Sequence, residues 1–309
     1  MKKVFIDGSA GTTGLRIYER LEKRKDIQLI SLSEEERKNP ISRKKAINES
    51  DVTFLCLPDD ASRESVSFLE NENTVVIDTS TAHRTEEGWL YGFPEIDKDF
   101  DKKVKTAKKI AVPGCHASGF IALVQPLIQK GILPKEAYLT CTSVTGYSGG
   151  GKKMIAEYNS QDKSELLDYP RQYALGQTHK HLKEMAYVTK LENPPIFMPI
   201  VGDFYSGMQV SVPVFKKDLM DGKTIQDIID VYKSIYNGKL TFYKQNDENG
   251  FMSSGTYAGK DCMEISVYGN QDRIVLQARY DNLGKGASGA AIQCLNYVLG
   301  VKPETDLAY

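Results

Sequence analysis

The feature that most restricts what this chain can fold into is a run of three evenly spaced glycines, Gly8-Ser-Ala-Gly11-Thr-Thr-Gly14. The run follows an apolar stretch, Val4 to Asp7, and opens a helical pattern over Thr13 to Lys23. A strand that passes through glycines straight into a helix fits the first β-turn-α of a doubly wound sheet. Gly8 allows the tight turn, Gly11 lets a pyrophosphate approach the backbone, and Gly14 lets helix and strand close together. The leading N–H groups of the helix then face the phosphates. The spacing is GxxGxxG, not the GxGxxG of the common dinucleotide fingerprint, so the strand-turn-helix context carries the reading.

The alternation continues through Ile27 to Leu32, Arg43 to Asn48, Val52 to Leu57, Ala61 to Leu69 and Val75 to Asp78. Runs such as FLCL and VVID are apolar at successive positions, as strands covered on both faces are. The pattern predicts α/β architecture: a Rossmann-like, doubly wound parallel sheet over residues 1–115. Beyond Cys115 the strand-like runs lengthen, at Tyr138 to Val144, Gln209 to Phe215, Met263 to Tyr268 and Arg273 to Arg279, with few helices between them. That predicts a second, α+β domain on a mixed or antiparallel sheet over 116–285. Ala287, Ala290, Ala291, Cys294, Leu295 and Val298 recur at helical spacing, so residues 286–309 are expected to hold a helix returning to the first domain.

With 40% hydrophobic residues in 309, the chain can bury a sizeable core. Forty basic residues stand against 41 acidic ones, without a dense basic tract, which argues against a nucleic-acid partner. The N-terminal MKKVFID lacks a signal-peptide core, and no apolar run approaches a membrane span, so a cytoplasmic protein is expected. Five scattered cysteines with no CxxC pair suggest neither a disulfide framework nor a zinc site.

Three of those cysteines read as core residues, Cys56 and Cys141 in apolar strand patterns and Cys294 in an apolar helix stripe, while Cys262, at a strand start, reads as incidental. Cys115 differs. It lies between a Pro-Gly turn and a small-residue helix opening, VPGCHASGF, where the helix dipole favours a thiolate. Two of the four histidines fall at His179-Lys-His181, with Glu184 three residues on, and one of them is the expected acid/base. On a helix His181 and Glu184 share a face while His179 and His181 diverge. His83 and His116 are weaker candidates, and His116, adjacent to Cys115 on a helix, is not expected to activate it. Metal binding by the two histidines and Glu184 lacks a third convincing ligand, so no metal is expected. After the second strand, Ser31 and Ser33 backed by Arg37 and Lys38 suit a 2′-phosphate and favour NADP(H), although Glu34, Glu35 and Glu36 stand beside them.

Taken in order, GSAGTTG, DTSTAHR (78–84), YGFPE (91–95), VPGCHASG (112–119), GYSGGGKK (146–153), HKHLKE (179–184) and DNLGKGASGAA (281–291) resemble the N-acetyl-gamma-glutamyl-phosphate reductases, in particular their shorter branch. Longer members often read GCYPT where this chain has GCHAS. Aspartate-semialdehyde dehydrogenase, in the same superfamily, is less similar at HKH and DNLGKGASG. The resemblance implies NADPH-dependent reduction of N-acetyl-L-glutamyl 5-phosphate to the 5-semialdehyde and phosphate, in arginine biosynthesis, through a cysteine thioester. It implies Cys115 as acyl acceptor, His181 or His179 with Glu184 as acid/base machinery, and Asn282 near the nicotinamide. The cofactor set is then Gly8, Gly11, Thr12, Thr13, Gly14, Ser31, Ser33, Arg37, Pro58 and Asn282. Ser80, Arg84, Ser148 and Gly149 are expected to meet the substrate, with Lys152, Lys153 and Arg171 as further cations. A small-molecule acyl phosphate and a homodimer or homotetramer complete the expectation. The alternatives are another semialdehyde dehydrogenase, of aspartate type or taking a carrier-bound substrate, and a non-enzymatic NADP sensor.

Overall fold

The computed structural model describes residues 1–245 and 247–309. The chain divides into two units, Met1–Gly114 with Ala287–Leu307, and Cys115–Gly286 with Ala308–Tyr309.

The first unit runs β1 (Lys2–Asp7), α1 (Thr12–Leu21), β2 (Ile27–Ile30), α2 (Pro40–Glu49), β3 (Val52–Leu55), α3 (Asp59–Ser67), β4 (Val75–Asp78), β5 (Leu90–Tyr91), α4 (Phe100–Lys103) and β6 (Lys109–Ala111). Among the described residues its strands form one sheet in the order β2-β1-β3-β4-β6-β5, with every neighbouring pair parallel. The order reverses at β1, so the crevice beyond the ends of β1 and β3 is where such a sheet takes a ligand. Local chemistry sets the elements. Asn39 caps α2 by accepting from the Ile41 and Ser42 N–H groups, and Pro40 sits at the first helical position, where its missing N–H costs nothing. Asp7, buried at the end of β1, is held by Arg43 of α2 at 3.2 Å and by the Ser65 hydroxyl of α3 at 2.8 Å.

The second unit runs α5 (Cys115–Gln129), β7 (Thr140–Gly146), α6 (Gly151–Tyr158), β8 (Arg171–Gln172), α7 (His181–Thr189), β9 (Ile196–Gly202), β10 (Met208–Phe215), α8 (Ile225–Ile235), β11 (Thr241–Tyr243), β12 (Met263–Gly269) and β13 (Arg273–Tyr280). Its sheet, in the order β11-β12-β13-β10-β7-β9-β8, is mixed: β7 with β9 and β11 with β12 are parallel, the rest antiparallel. β9 has no counterpart in the strand-like runs read from the sequence, because Pro194, Pro195 and Pro199 mask it.

Helix α5 is buried from His116 to Val124, as its apolar, small-residue composition requires. Pro126 inside it has no N–H for the Ala122 carbonyl four residues back. The Tyr236 hydroxyl, just beyond α8, donates to that carbonyl at 2.6 Å, and Tyr232 of α8 donates to the Leu123 carbonyl at 2.5 Å. The last helix, α9 (Gly289–Leu299), belongs to the first unit. There the Asn296 carboxamide oxygen accepts from Arg24, and its nitrogen donates to the Pro303 and Thr305 carbonyls. No helix among the described residues is long and apolar enough to cross a membrane.

Candidate active site

The glycine turn does in space what its spacing requires. Gly8 has φ +90°, and a Cβ there would collide with the Cys56 carbonyl after β3. A Cβ on Gly14 would strike the Gly8 carbonyl, so only glycine lets α1 start this close to β1. A Cβ on Gly11 would stand in ordinary van der Waals contact with the Gly8 and Cys56 carbonyls, at 3.4 and 3.6 Å. Thr12 and Thr13 open α1, and Pro58 directly precedes α3.

Two clefts flank this turn. One is lined by Ser9, Ala10, Ser31 and Arg37, the other by Gly8, Ala10, Arg37 and Lys38. Ser31 and Arg37 therefore meet beside the turn, while Ser33 is spent locally. Its N–H donates to the Glu36 carboxylate at 2.8 Å and its hydroxyl accepts from the Glu36 N–H at 3.3 Å. That backbone hydrogen bond from Ser33 is the main reason the Glu36 carboxyl is held below its ordinary range.

In the second unit Cys115 is the first residue of α5, and it is partly exposed. By contrast Cys141 and Cys262 are buried, and burial raises both thiols, Cys262 to about 11. Cys115 opens into a cavity of about 310 Å³ whose walls include His116, Tyr173, His179, Lys180 and His181, with Gly149 and Gly150 alongside. Residues 115, 179 and 181 are thus brought together. The expectation that His179 and His181 diverge is corrected: α7 begins only at His181, so His179 lies in the turn before it and the two rings meet at 4.7 Å. The His181 N–H donates to His179 Nδ1 at 3.2 Å, which leaves the proton of the neutral ring on Nε2. Burial, then the Lys180 charge, hold His179 below its ordinary range, and Glu184 opposes them. Glu184 itself is buried on α7.

Sequence reasoning ranked His116 as a weaker candidate and did not reach Tyr173. His116 is 3% exposed, with Nδ1 at 2.7 Å from the Ser143 hydroxyl and Nε2 at 2.7 Å from that of Tyr173. Both ring nitrogens are occupied away from the thiol. Burial, reinforced by His179, pushes its pKa down to about 3, so it is a neutral spacer between Tyr173, His179 and His181. The only signal for it in the sequence is its place after the cysteine.

The remaining expected residues sit elsewhere. Ser148 is buried, and its hydroxyl accepts from the Asn282 side chain at 3.0 Å. The other end of that carboxamide accepts from the Gly207 N–H at 3.0 Å. Asn282 therefore ties the glycine-rich turn after β7 to the turn before β10. Ser80 and Arg84 belong to the first unit. Ser80 caps Asp78, and the Arg84 guanidinium donates to the Val112 and Thr79 carbonyls. His83 pairs with Asp78 at 2.6 Å and stacks on Trp89. Lys152 and Lys153 are exposed on α6, while Arg171 donates to the Tyr158 hydroxyl at 3.1 Å. No group of three His, Cys, Asp or Glu among the described residues is placed to hold a metal.

Residues 3–103 match the model of the semialdehyde dehydrogenase NAD binding domain, and residues 115–282 that of the semialdehyde dehydrogenase dimerisation domain. Among solved structures, aspartate semialdehyde dehydrogenase II of Vibrio cholerae, complexed with ASA, superposes with a TM-score of 0.70 at 15% identity, over 97% of this chain and 98% of that one. The Candida albicans enzyme with NADP superposes with a TM-score of 0.66 at 16% identity, over 97% and 99%. Those likenesses establish the fold. Sequence goes further: N-acetyl-gamma-glutamyl-phosphate reductase 2 of Nostoc sp. is 43% identical over 99% of both chains, and the Allorhizobium ampelinum N-acetyl-gamma-glutamyl-phosphate reductase is 42% identical over 96% of this chain and 98% of its own. The chain belongs to the N-acetyl-gamma-glutamyl-phosphate reductase family, within the semialdehyde dehydrogenases.

Proposed function

We propose that this protein is an oxidoreductase that converts N-acetyl-L-glutamyl 5-phosphate to N-acetyl-L-glutamate 5-semialdehyde and phosphate, a step of arginine biosynthesis, with NADPH as reductant. The observation that carries the reading is the opening of Cys115, at the head of α5, into the same cavity as His179 and His181. The relatives at 42–43% identity carry the same activity in their names.

Cys115 Sγ attacks the acyl carbon and the bond to the phosphate oxygen breaks, leaving a thioester on the enzyme. Phosphate is a good leaving group, so covalent capture replaces one hard step with two easier ones. The thiol proton passes to a cavity histidine. His181 suits the base, because the Nδ1 lone pair of His179 is already taken by the His181 N–H. The same bond makes His179 a hydrogen-bond donor for the oxyanion at the reacting carbon. Lys180 and the Gly149-Gly150 turn face the departing phosphate. When bound, the nicotinamide dinucleotide would supply the hydride that reduces the acyl carbon. The C–S bond then breaks, the aldehyde leaves, and the proton held by His181 returns to the Cys115 sulfur. The dinucleotide's pyrophosphate would lie against the glycine turn between the two clefts, and Ser31 with Arg37 and Lys38 supports a 2′-phosphate, hence NADP over NAD. A homodimer is the favoured assembly, supported by the match of residues 115–282 to a dimerisation domain.

The test runs the reaction backwards. Phosphate-dependent NADP⁺ reduction with N-acetyl-L-glutamate 5-semialdehyde is measured for the intact protein and for Cys115→Ala. Turnover by the first, with loss of at least about 10³-fold in the second, supports the thioester route. Folded, cofactor-binding protein with no turnover sinks the assignment.

A further inference from the structure

We propose that Tyr280 is a positioning residue for the nucleophile: its hydroxyl, set across the first turn of α5, fixes the backbone pose from which the Cys115 sulfur reaches the substrate. The inference rests on the proposed role of Cys115.

Tyr280 is the last residue of β13 and is fully buried. Its hydroxyl donates to the Cys115 carbonyl at 2.5 Å and accepts from the Gly119 N–H at 3.0 Å. Those two groups are i and i+4, a pair that an α-helix hydrogen-bonds to each other. The comparison with Tyr236 is instructive. Tyr236 serves a carbonyl whose natural donor is missing because residue 126 is proline. At Cys115 no donor is missing, since Gly119 has its N–H and α5 is helical from Cys115 on, yet the hydroxyl bonds both groups. Satisfying a lone carbonyl therefore does not account for Tyr280, and a geometric role does.

The surroundings are shaped for this insertion. A Cβ on Gly119 would lie 2.7 Å from the Tyr280 hydroxyl and 2.6 Å from Val210 Cγ2, so glycine is what lets the phenol approach the helix. On the other side a Cβ on Gly286 would stand 3.1 Å from the Cys115 Cβ. The Cys115 carbonyl is thus gripped by a hydroxyl and its side-chain root backed by a bare backbone. Without the hydroxyl, the Cys115 carbonyl and the Gly119 N–H lose the partner that ties the first turn of α5 to the end of β13. The turn is then free to shift, and the sulfur with it, relative to the leading N–H groups of α5 and to the cavity histidines. Displacements of about 1 Å are enough to cost of the order of 10²-fold in rate.

The experiment uses the full-length protein and two variants. Tyr280→Phe keeps the ring and removes the hydroxyl, while Gly119→Ala keeps the tyrosine and pushes its hydroxyl away. Iodoacetamide alkylation of Cys115, followed by peptide mass spectrometry from pH 5 to 10, reads the thiol without any substrate. Steady-state rates, normalised to titratable Cys115, separate kcat from KM. In both variants kcat should fall about tenfold or more with KM changed less than about twofold, and the alkylation midpoint should move to higher pH as the thiolate loses the helix N-terminus. A lower melting temperature with an unmoved midpoint and an unchanged kcat per titrated thiol overturns the proposal. Should the wild type not turn over the acetylated semialdehyde, the alkylation shift still decides the role of Tyr280, and only the substrate reading falls.

Discussion

In the first unit seven consecutive residues, Gly8 to Gly14, make the glycine turn almost wholly from backbone. In the second unit the thiol cavity draws on residues 115, 116, 149, 173 and 179–181, from separate elements whose side chains meet only in the folded state. The first depends on the absence of atoms, since a Cβ at Gly8 or Gly14 has nowhere to go. The second depends on side-chain atoms and their protonation. A backbone site tolerates no side chain at a few positions and is indifferent to pH, whereas a side-chain site tolerates repacking but responds to charge.

That contrast can be broken most sharply by a double dissociation. Cys115→Ala should lower turnover by at least about 10³-fold and leave NADPH binding, followed by nicotinamide fluorescence, unchanged. Gly14→Val should do the reverse, abolishing NADPH binding while Cys115 in the folded protein alkylates at the wild-type rate. Loss of both properties in either variant would show that the two sites are not independent.

Smaller effects sharpen the side-chain half. Tyr236→Phe strands the Ala122 carbonyl and should cost about 1–3 kcal/mol in urea unfolding. An unchanged midpoint would mean another donor takes its place. His116, buried and neutral with a pKa of about 3, binds a proton more readily when unfolded, where its pKa is about 6.5. Its contribution is therefore complete above pH 6.5 and is lost progressively as pH falls from 6.5 towards 3, about 2 kcal/mol by pH 5. His116→Gln should flatten the fall of Tm between pH 7 and pH 5, and identical slopes would refute the burial argument. Smallest are the charge effects on His179. Lys180→Met removes a cation that depresses it and should raise the His179 titration midpoint followed by NMR, whereas Glu184→Gln should lower it. Shifts of the opposite sign would refute that charge balance.

The same contrast explains what could be read in advance. The glycine turn and the β/α alternation were legible because they are local: spacing along the chain is spacing in the fold. Cys115 was legible for the same reason, since a Pro-Gly turn before a small-residue helix start is a local signature. His179 and His181 were found as a pair but placed apart, because the argument assumed a helix through both and α7 starts at the second. His116 was set aside by a sound rule about adjacent helical side chains. It enters the cavity as a neutral wall bonded to Ser143 and Tyr173, 27 and 57 positions away. Those partners, like β9 behind its prolines, are set by tertiary pairing that no local pattern carries.

Helix α5 receives tyrosine hydroxyls at the carbonyls of Cys115, Ala122 and Leu123, from residues 165, 114 and 109 positions later in the chain. This gives the helix a timetable. During synthesis at about 5–20 residues per second, residues 115–129 leave the ribosome roughly 5–30 s before the last of those tyrosines exists. Through that interval the helix carries a proline without its substitute donor and a first turn without its tyrosine partner. The Cys115 backbone gains that partner only when β13 is complete, so one wall of the thiol cavity is among the last parts of the fold to mature.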